Sequence, residues 1–342
     1  MNLKDFRSLF LPEVEKQLQQ VVGRIEQTNF TPSSGRFLAE ARRMLAYQMG
    51  WEGPGAGPDA QGKRVRPLLV LLTTAACGGR WENALPAAAA VELLHNFSLI
   101  HDDIEDKSDL RRGRPTVWKT WGIPLAINAG DALFTLANLA VFDIKEQAIS
   151  LQSARIMLEA GLHLTQGQHL DISYETEQEL SEENYWPMVG GKTAALLAAC
   201  TELGALIGHA DLETCSHYRL FGRYLGLAFQ AYDDYLGIWG EPALTGKSAA
   251  SDLVSRKKSL PVLFGLGKQA GFAKKWYQGL VAADDVAESA SLLEAEGALE
   301  YVQSVAAEYT SKAIASLDQA RPVGEAGAAL RDLANQLLNR QQ

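Results

Sequence analysis

His95–Pro115 reads HNFSLIHDDIEDKSDLRRGRP. An apolar helical pattern (Phe97, Leu99, Ile100) runs into three carboxylates, Asp102, Asp103 and Asp106, and then into Arg111 and Arg112. On a helix, 102 and 106 are i,i+4 neighbours and 103 and 106 are i,i+3 neighbours, so all three side chains can point at one spot. Like charges packed this way repel unless something positive joins them. Hard divalent cations prefer carboxylate oxygens, and Mg²⁺ is often held by one or two carboxylates together with substrate phosphates. The stretch reads as a metal at the mouth of an apolar pocket, with arginines placed for an anion. Taken alone, it reads as well as a solvated acidic helix end.

A second stretch, Gln230–Ala231–Tyr232–Asp233–Asp234–Tyr235–Leu236–Gly237, repeats the arrangement. Gln230, Asp233 and Asp234 share a helical face. Two acidic pairs, each inside an apolar helix, need partners. Facing helices of a bundle can hold metal ions through such groups.

The rest of the chain supports a helical frame. Helical spacing covers 11–29, 34–49, 82–104, 124–144, 152–165, 218–239 and 260–268, and no segment alternates as a strand does. Residues 50–62, GWEGPGAGPDAQG, form a Gly/Pro loop that reads as a flap. Lys63–Arg64–Val65–Arg66–Pro67 then opens an apolar helix, with Pro67 suited to its first turn. His95, Leu99, Asp102 and Asp106 fall on one stripe. Gly190–Gly191–Lys192–Thr193 superficially resembles a phosphate-binding loop, but that motif needs a glycine where Trp186 stands, so the reading fails. Gly226 and Gly237 mark places where another group can approach closely. The expectation is an all-α fold, a single-domain helical bundle over 1–342 around a central apolar cavity.

The 342 residues are 47% hydrophobic and 21% charged, an ordinary globular composition. A net charge of -9 argues against nucleic-acid binding. The cations cluster at 63–66, 111–114 and 256–258, which suits small anionic ligands. Cys77, Cys200 and Cys215 lack metal-site spacing. The N-terminus has no long apolar run, and no stretch reaches ~18 uninterrupted apolar residues, so a cytoplasmic protein without membrane insertion is expected.

Together these motifs resemble the trans-type isoprenyl diphosphate synthases, the polyprenyl synthetases. The first DDxxD motif stands at Asp102–Asp106, followed by the paired Arg111–Arg112. The second stands at Gln230 and Asp233–Asp234, with Gly237 replacing its last aspartate. The likeness is strong from about 62 to 263 and weak over 269–342. It implies Mg²⁺-dependent head-to-tail prenyl transfer from an allylic diphosphate to isopentenyl diphosphate. It assigns metal ligation to Asp102, Asp103, Asp106, Asp233 and Asp234, with three Mg²⁺ ions for which Mn²⁺ can substitute. It gives Lys63, Arg66, His95 and Arg112 to isopentenyl diphosphate, and Arg111, Lys192, Lys247 and Lys257 to the leaving diphosphate. Thr193 and backbone oxygens face the developing cation, Gln230 counts among the catalytic and substrate-binding residues, and Gln168 and Asp171 line the cavity. Phe97, by the same resemblance, floors a pocket for a C20 or C15 product, although helical projection puts Leu99 beneath Asp102 and Asp106. A homodimer is also implied. Restoring Asp at 237 is expected to change turnover only modestly. The alternatives are a class I terpene cyclase and a non-catalytic subunit of a heteromeric synthase. The cations for isopentenyl diphosphate argue against the first, and the retained acidic motifs against the second.

Overall fold

The computed structural model describes residues 1–27, 35–240, 250–279 and 283–338. It is all-α. Among the described residues the only strands are Leu110–Arg111 and Arg114–Pro115, which pair antiparallel with Arg111 opposite Arg114. The chain divides into two compact units. One comprises Met1–Gly161, Ala199–Ser216 and Arg321–Leu330; the other comprises Leu162–Ala198, His217–Ala320 and Arg331–Gln342.

The first unit is built on the helix Leu85–Glu105. Pro86 sits in its first turn, where a missing N–H leaves no hydrogen bond unmade. Ala87 to Val91 are fully buried, so this helix is apolar nearly all round, as a core helix must be. Leu3–Gly23, Val65–Ala76 and Ile123–Val141 pack against it. Leu68, Leu69, Val70, Leu71 and Leu72 are also completely buried. Each such side chain contributes about 1.5–3 kcal/mol over an exposed one. Ile123–Val141 is long and apolar enough to cross a membrane by length and composition alone; Ala126, Ala129, Leu133, Ala137 and Val141 are buried, while Ile123, Leu125, Ile127 and Leu139 are exposed.

These helices enclose a buried ion network centred on Arg64. Its backbone is left-handed, φ 47°, and its side chain is only 2% exposed. The guanidinium donates to Glu15 at 2.7 Å, Glu92 at 2.9 Å and the Met49 carbonyl at 3.0 Å. Trp51 Nε1 donates to Glu15 at 2.6 Å, and Asn96 donates to Glu92. Burial alone lowers the Arg64 pKa, but the two carboxylates outweigh it and the net shift is upward. Arg114 organises the glycine-rich 50–62 segment in the same way. It lies over the Tyr47 ring at 4.0 Å and donates to the carbonyls of Tyr47, Glu52 and Pro54.

In the second unit, Tyr185, Met188, Val189, Leu227 and Leu263 form one apolar cluster, and Leu253, Val262, Phe272, Trp276 and Leu293 another. The helix Gln147–Thr176, whose residues from Leu162 on belong to this unit, continues past Gly167, beyond the expected end at 165. The reason is backbone contact: a Cβ on Gly167 would lie 2.0 Å from the Lys192 amide nitrogen, and one on Gly191 would lie 2.5 Å from the His163 carbonyl oxygen. The first helix likewise starts at Leu3 rather than 11, because Asn2 and Asp5 form a capping box.

Arg64→Ala should destabilise the protein by about 3–5 kcal/mol in urea unfolding, because Glu92 is then left buried without its cation. A loss below about 1 kcal/mol, the range of an exposed pair, would contradict the network's structural role.

Candidate active site

In the first unit the acidic group stands at the C-terminal end of Leu85–Glu105, with Asp106 as the C-cap. A helix C-terminus carries partial negative charge from its own carbonyls. Three further carboxylates there raise the demand for a cation. Asp103 is buried and receives Arg111 through Nε at 2.8 and 3.0 Å and Nη2 at 2.8 Å. Burial lifts the Asp103 pKa above its ordinary value, against the pull of Arg111. Asp102 is half-buried and Asp106 exposed, one helical turn apart.

The following Arg111–Arg112–Gly113–Arg114 segment is a tight hairpin. Arg112 and Gly113 both take positive φ, 52° and 72°, as a two-residue type I′ turn requires. Arg112 Nη1 donates to the Ala60 carbonyl at 2.8 Å, and its guanidinium lies against Gly62, where a Cβ would come within 2.7 Å. Arg66 is half-buried, and its Nε has no hydrogen-bond partner among the described residues. Burial, then the charges of Arg66, Arg112, Arg111 and Arg64, push the His95 pKa well below its ordinary value, so the ring is neutral. Guanidiniums gathered on a neutral imidazole, with a buried donor unmet, form a site that lacks an anion. A small, open cleft is lined by Gln48, Ala60, Arg111, Arg112, Arg114 and Thr116. Lys63 is exposed.

In the second unit Asp234 is buried and saturated. It accepts from Tyr185 Oη at 2.8 Å, Gln230 Nε2 at 2.9 Å and the Leu260 amide at 2.9 Å. Burial and Asp234 push the Tyr185 pKa well above its ordinary value, so the phenol remains a donor. Gln230 Oε1 accepts from the Thr193 hydroxyl at 2.9 Å. Thr193 lies in a π-helical turn, Gly190–Ala194, where Lys192 pairs with Asp171 at 2.5 Å. That turn is pressed by glycines on two sides, since a Cβ on Gly226 would meet the Ala194 Cα at 2.6 Å. Lys257 stands 3.8 Å from Asp234. Its burial favours the neutral amine, but Asp234, Asp252, Asp171 and Asp233 outweigh that and raise its pKa.

Within the first unit the structure brings Arg66, His95, Arg111 and Arg112 together, and within the second Lys192, Thr193, Gln230, Asp234 and Lys257. Lys247 lies outside the described residues. Phe97 packs edge-on against His101 and beside Phe134, at ring separations of 4.8 and 5.2 Å. Gly237 has a neighbour distant in sequence: a Cβ there would lie 2.4 Å from Asp252 Oδ2, so an aspartate at 237 requires the Asp252 side chain to shift. The sequence reading missed Arg64, Arg114 and Tyr185, whose roles depend on partners distant in sequence.

A family model for polyprenyl synthetase matches residues 57–295. The geranylgeranyl diphosphate synthase of Mycobacterium tuberculosis is 40% identical over 284 residues, 81% of each chain. The (2E,6E)-farnesyl diphosphate synthase of Mycobacterium bovis is 36% identical over 88% of this chain and 86% of its own. Among solved structures, the geranylgeranyl pyrophosphate synthase from Corynebacterium glutamicum, complexed with isoprenyl diphosphate and magnesium, has a TM-score of 0.85 at 28% identity and full coverage of both chains.

In ligand-free protein the His95 ring should stay neutral well below pH 6.5 by NMR titration. The unfolded chain takes up a proton there that the folded chain refuses, so His95 lowers stability as pH falls below about 6.5 and has no such effect above it. Inorganic pyrophosphate should raise its pKa. Ordinary titration near 6.5 without ligand would contradict the cationic surroundings.

Proposed function

The chain belongs to the polyprenyl synthetase family, and on that premise we propose that it joins isopentenyl diphosphate head to tail to an allylic diphosphate, making a C20 or, alternatively, C15 prenyl diphosphate. One arrangement carries the reading: Arg66 with a buried Nε that has no partner among the described residues, Arg112 held at Ala60 and Arg111 held at Asp103, in the same unit as His95 and the acidic helix end. A cyclase has no use for this second anion site.

The donor set fits magnesium. Among the described residues no three acidic, His or Cys groups form a ready-made cage, and Mg²⁺ is commonly held by one or two carboxylates plus phosphate oxygens. Asp102, Asp106 and Asp233 would hold it with the allylic diphosphate, while Asp103 and Asp234 are committed to Arg111 and to Tyr185, Gln230 and Leu260. Magnesium supplies positive charge that stabilises the leaving diphosphate.

Arg66, His95 and Arg112 bind the diphosphate of isopentenyl diphosphate, with exposed Lys63 able to join them. Arg111, Lys192 and Lys257 neutralise charge on the allylic diphosphate as its C–O bond breaks and the electron pair leaves with oxygen. Thr193 and Gln230, aligned by Asp234, turn dipoles towards the allylic cation. The double bond of isopentenyl diphosphate supplies the pair for the new C–C bond. The proton then lost from the adjacent carbon goes to the departing diphosphate. Exclusion of water protects the cation.

Both compact units belong to one synthase domain in this reading, supported by a family match that spans them. A homodimer is supported by exposed apolar side chains on and just beyond Ile123–Val141, namely Ile123, Leu125, Ile127, Leu139 and Phe142. A cytoplasmic setting is supported by three cysteines that form no disulfide.

Asp233→Ala should lower incorporation of labelled isopentenyl diphosphate by about 10²–10³-fold, and Phe97→Ala should lengthen the product. Near-normal turnover in Asp233→Ala would overturn the assignment. Light scattering should give about twice the 37.2 kDa chain mass, and a monomer would remove the dimer from the proposal.

A further inference from the structure

Arg256, Lys257 and Lys258 are three cations in a row, and within the second unit their side chains go to three different places. The outer two each serve a helix C-terminus. Arg256 Nη2 donates to the Trp276 carbonyl at 3.0 Å, in the last turn of Gly271–Gln278, and its guanidinium lies over the Trp276 ring at 4.5 Å. Trp276 is buried in an apolar cluster, so this contact ties Arg256 to the core. Lys258 Nζ donates to the carbonyls of Tyr174, Glu175 and Glu177 at 2.5, 3.0 and 2.6 Å, at and just past the end of Gln147–Thr176. The last carbonyls of a helix have no partner within it and carry partial negative charge, so a cation satisfies them. An ammonium has three donors, and Lys258 spends all three there.

Lys257 alone is left to face carboxylates. It stands 3.8 Å from Asp234, and the charges of Asp234, Asp252, Asp171 and Asp233 act on its ammonium. The backbone that carries it is held in an uncommon shape. Arg256 takes a positive φ of 55°, and the Lys257 amide donates to the Asp252 carbonyl at 2.9 Å. A residue with a Cβ keeps such a φ only where surrounding contacts over-determine it. The anchors of Arg256 and Lys258 supply those contacts on either side of Lys257.

We propose that Arg256 and Lys258 are positioning residues: by capping two helix ends they hold the flexible Lys257 stem towards the allylic diphosphate. Their own charges are engaged by carbonyls, so only Lys257 of the three is directed at the anion. This inference rests on the prenyl-transfer reading and extends it to two residues that act through a third.

The test is the affinity for inorganic pyrophosphate with Mg²⁺, by isothermal titration calorimetry, with the ligand-free melting temperature followed alongside. Lys258→Met should weaken binding by about tenfold, and Lys258→Arg, which keeps a cationic donor for the carbonyls, should restore most of it. In a Lys257→Met background, Lys258→Met should add less than about twofold, because its effect runs through Lys257. An equal loss in both backgrounds would overturn the proposal, as would wild-type affinity in Lys258→Met or in Lys257→Met, with the prenyl-transfer reading left intact. Where Lys258→Met does not fold, Arg256→Gly, which tolerates the positive φ, decides the matter by the same comparison. No pyrophosphate binding by the wild-type protein would overturn the underlying reading together with the proposal.

Discussion

Asp103 and Arg111 form the contact on which the first acidic group depends. The pair joins the end of Leu85–Glu105 to the Arg111–Arg114 hairpin through both carboxylate oxygens. It therefore fixes where Arg112 projects and holds the helix end beside which Asp102 and Asp106 sit. Asp234 does the corresponding work in the second unit, gathering Tyr185, Gln230 and the Leu260 amide. In both motifs the second aspartate of the pair is 1% exposed and serves the architecture. The pattern is the same twice: one buried carboxylate of each pair positions its surroundings through hydrogen bonds.

The price of this arrangement is charge held in places that suit a ligand better than the empty protein. Carboxylates stand at the negative end of a helix, and arginines crowd a histidine that stays neutral as a result. Such preorganisation costs folding stability and lowers the reorganisation needed when diphosphate charge develops. The surrounding scaffold is correspondingly tight. Arg64 satisfies the buried Glu92 and the half-buried Glu15, and glycines at 167, 191 and 226 let backbones touch around the Lys192–Thr193 turn.

Much of this was legible in the sequence, because helical periodicity and acidic spacing are local signals. The all-α class and the helix leading into Asp102 could be read that way, whereas the grouping of Arg66 and Arg112 with His95 came from the family resemblance. Partners distant in sequence could not. Arg64 lies between Lys63 and Arg66, yet it faces Glu15 and Glu92, and nothing in KRVR distinguishes it. Gly167 looks like a helix breaker until Gly191 is seen against it. Gly237 reads in the sequence as one contact fewer in the second motif, and the Asp252 carboxylate that fills its space is not visible there. Phe97 turns to His101 and Phe134, a direction set by the neighbouring helix rather than by the acidic stripe.

The most direct measurement is to incubate the purified protein with Mg²⁺, isopentenyl diphosphate and, separately, C5, C10 and C15 allylic diphosphates, and to size the dephosphorylated products by chromatography. The account predicts consumption of isopentenyl diphosphate and one discrete product at C20 or C15. Hydrocarbon formed from the allylic substrate alone, with isopentenyl diphosphate untouched, would contradict it.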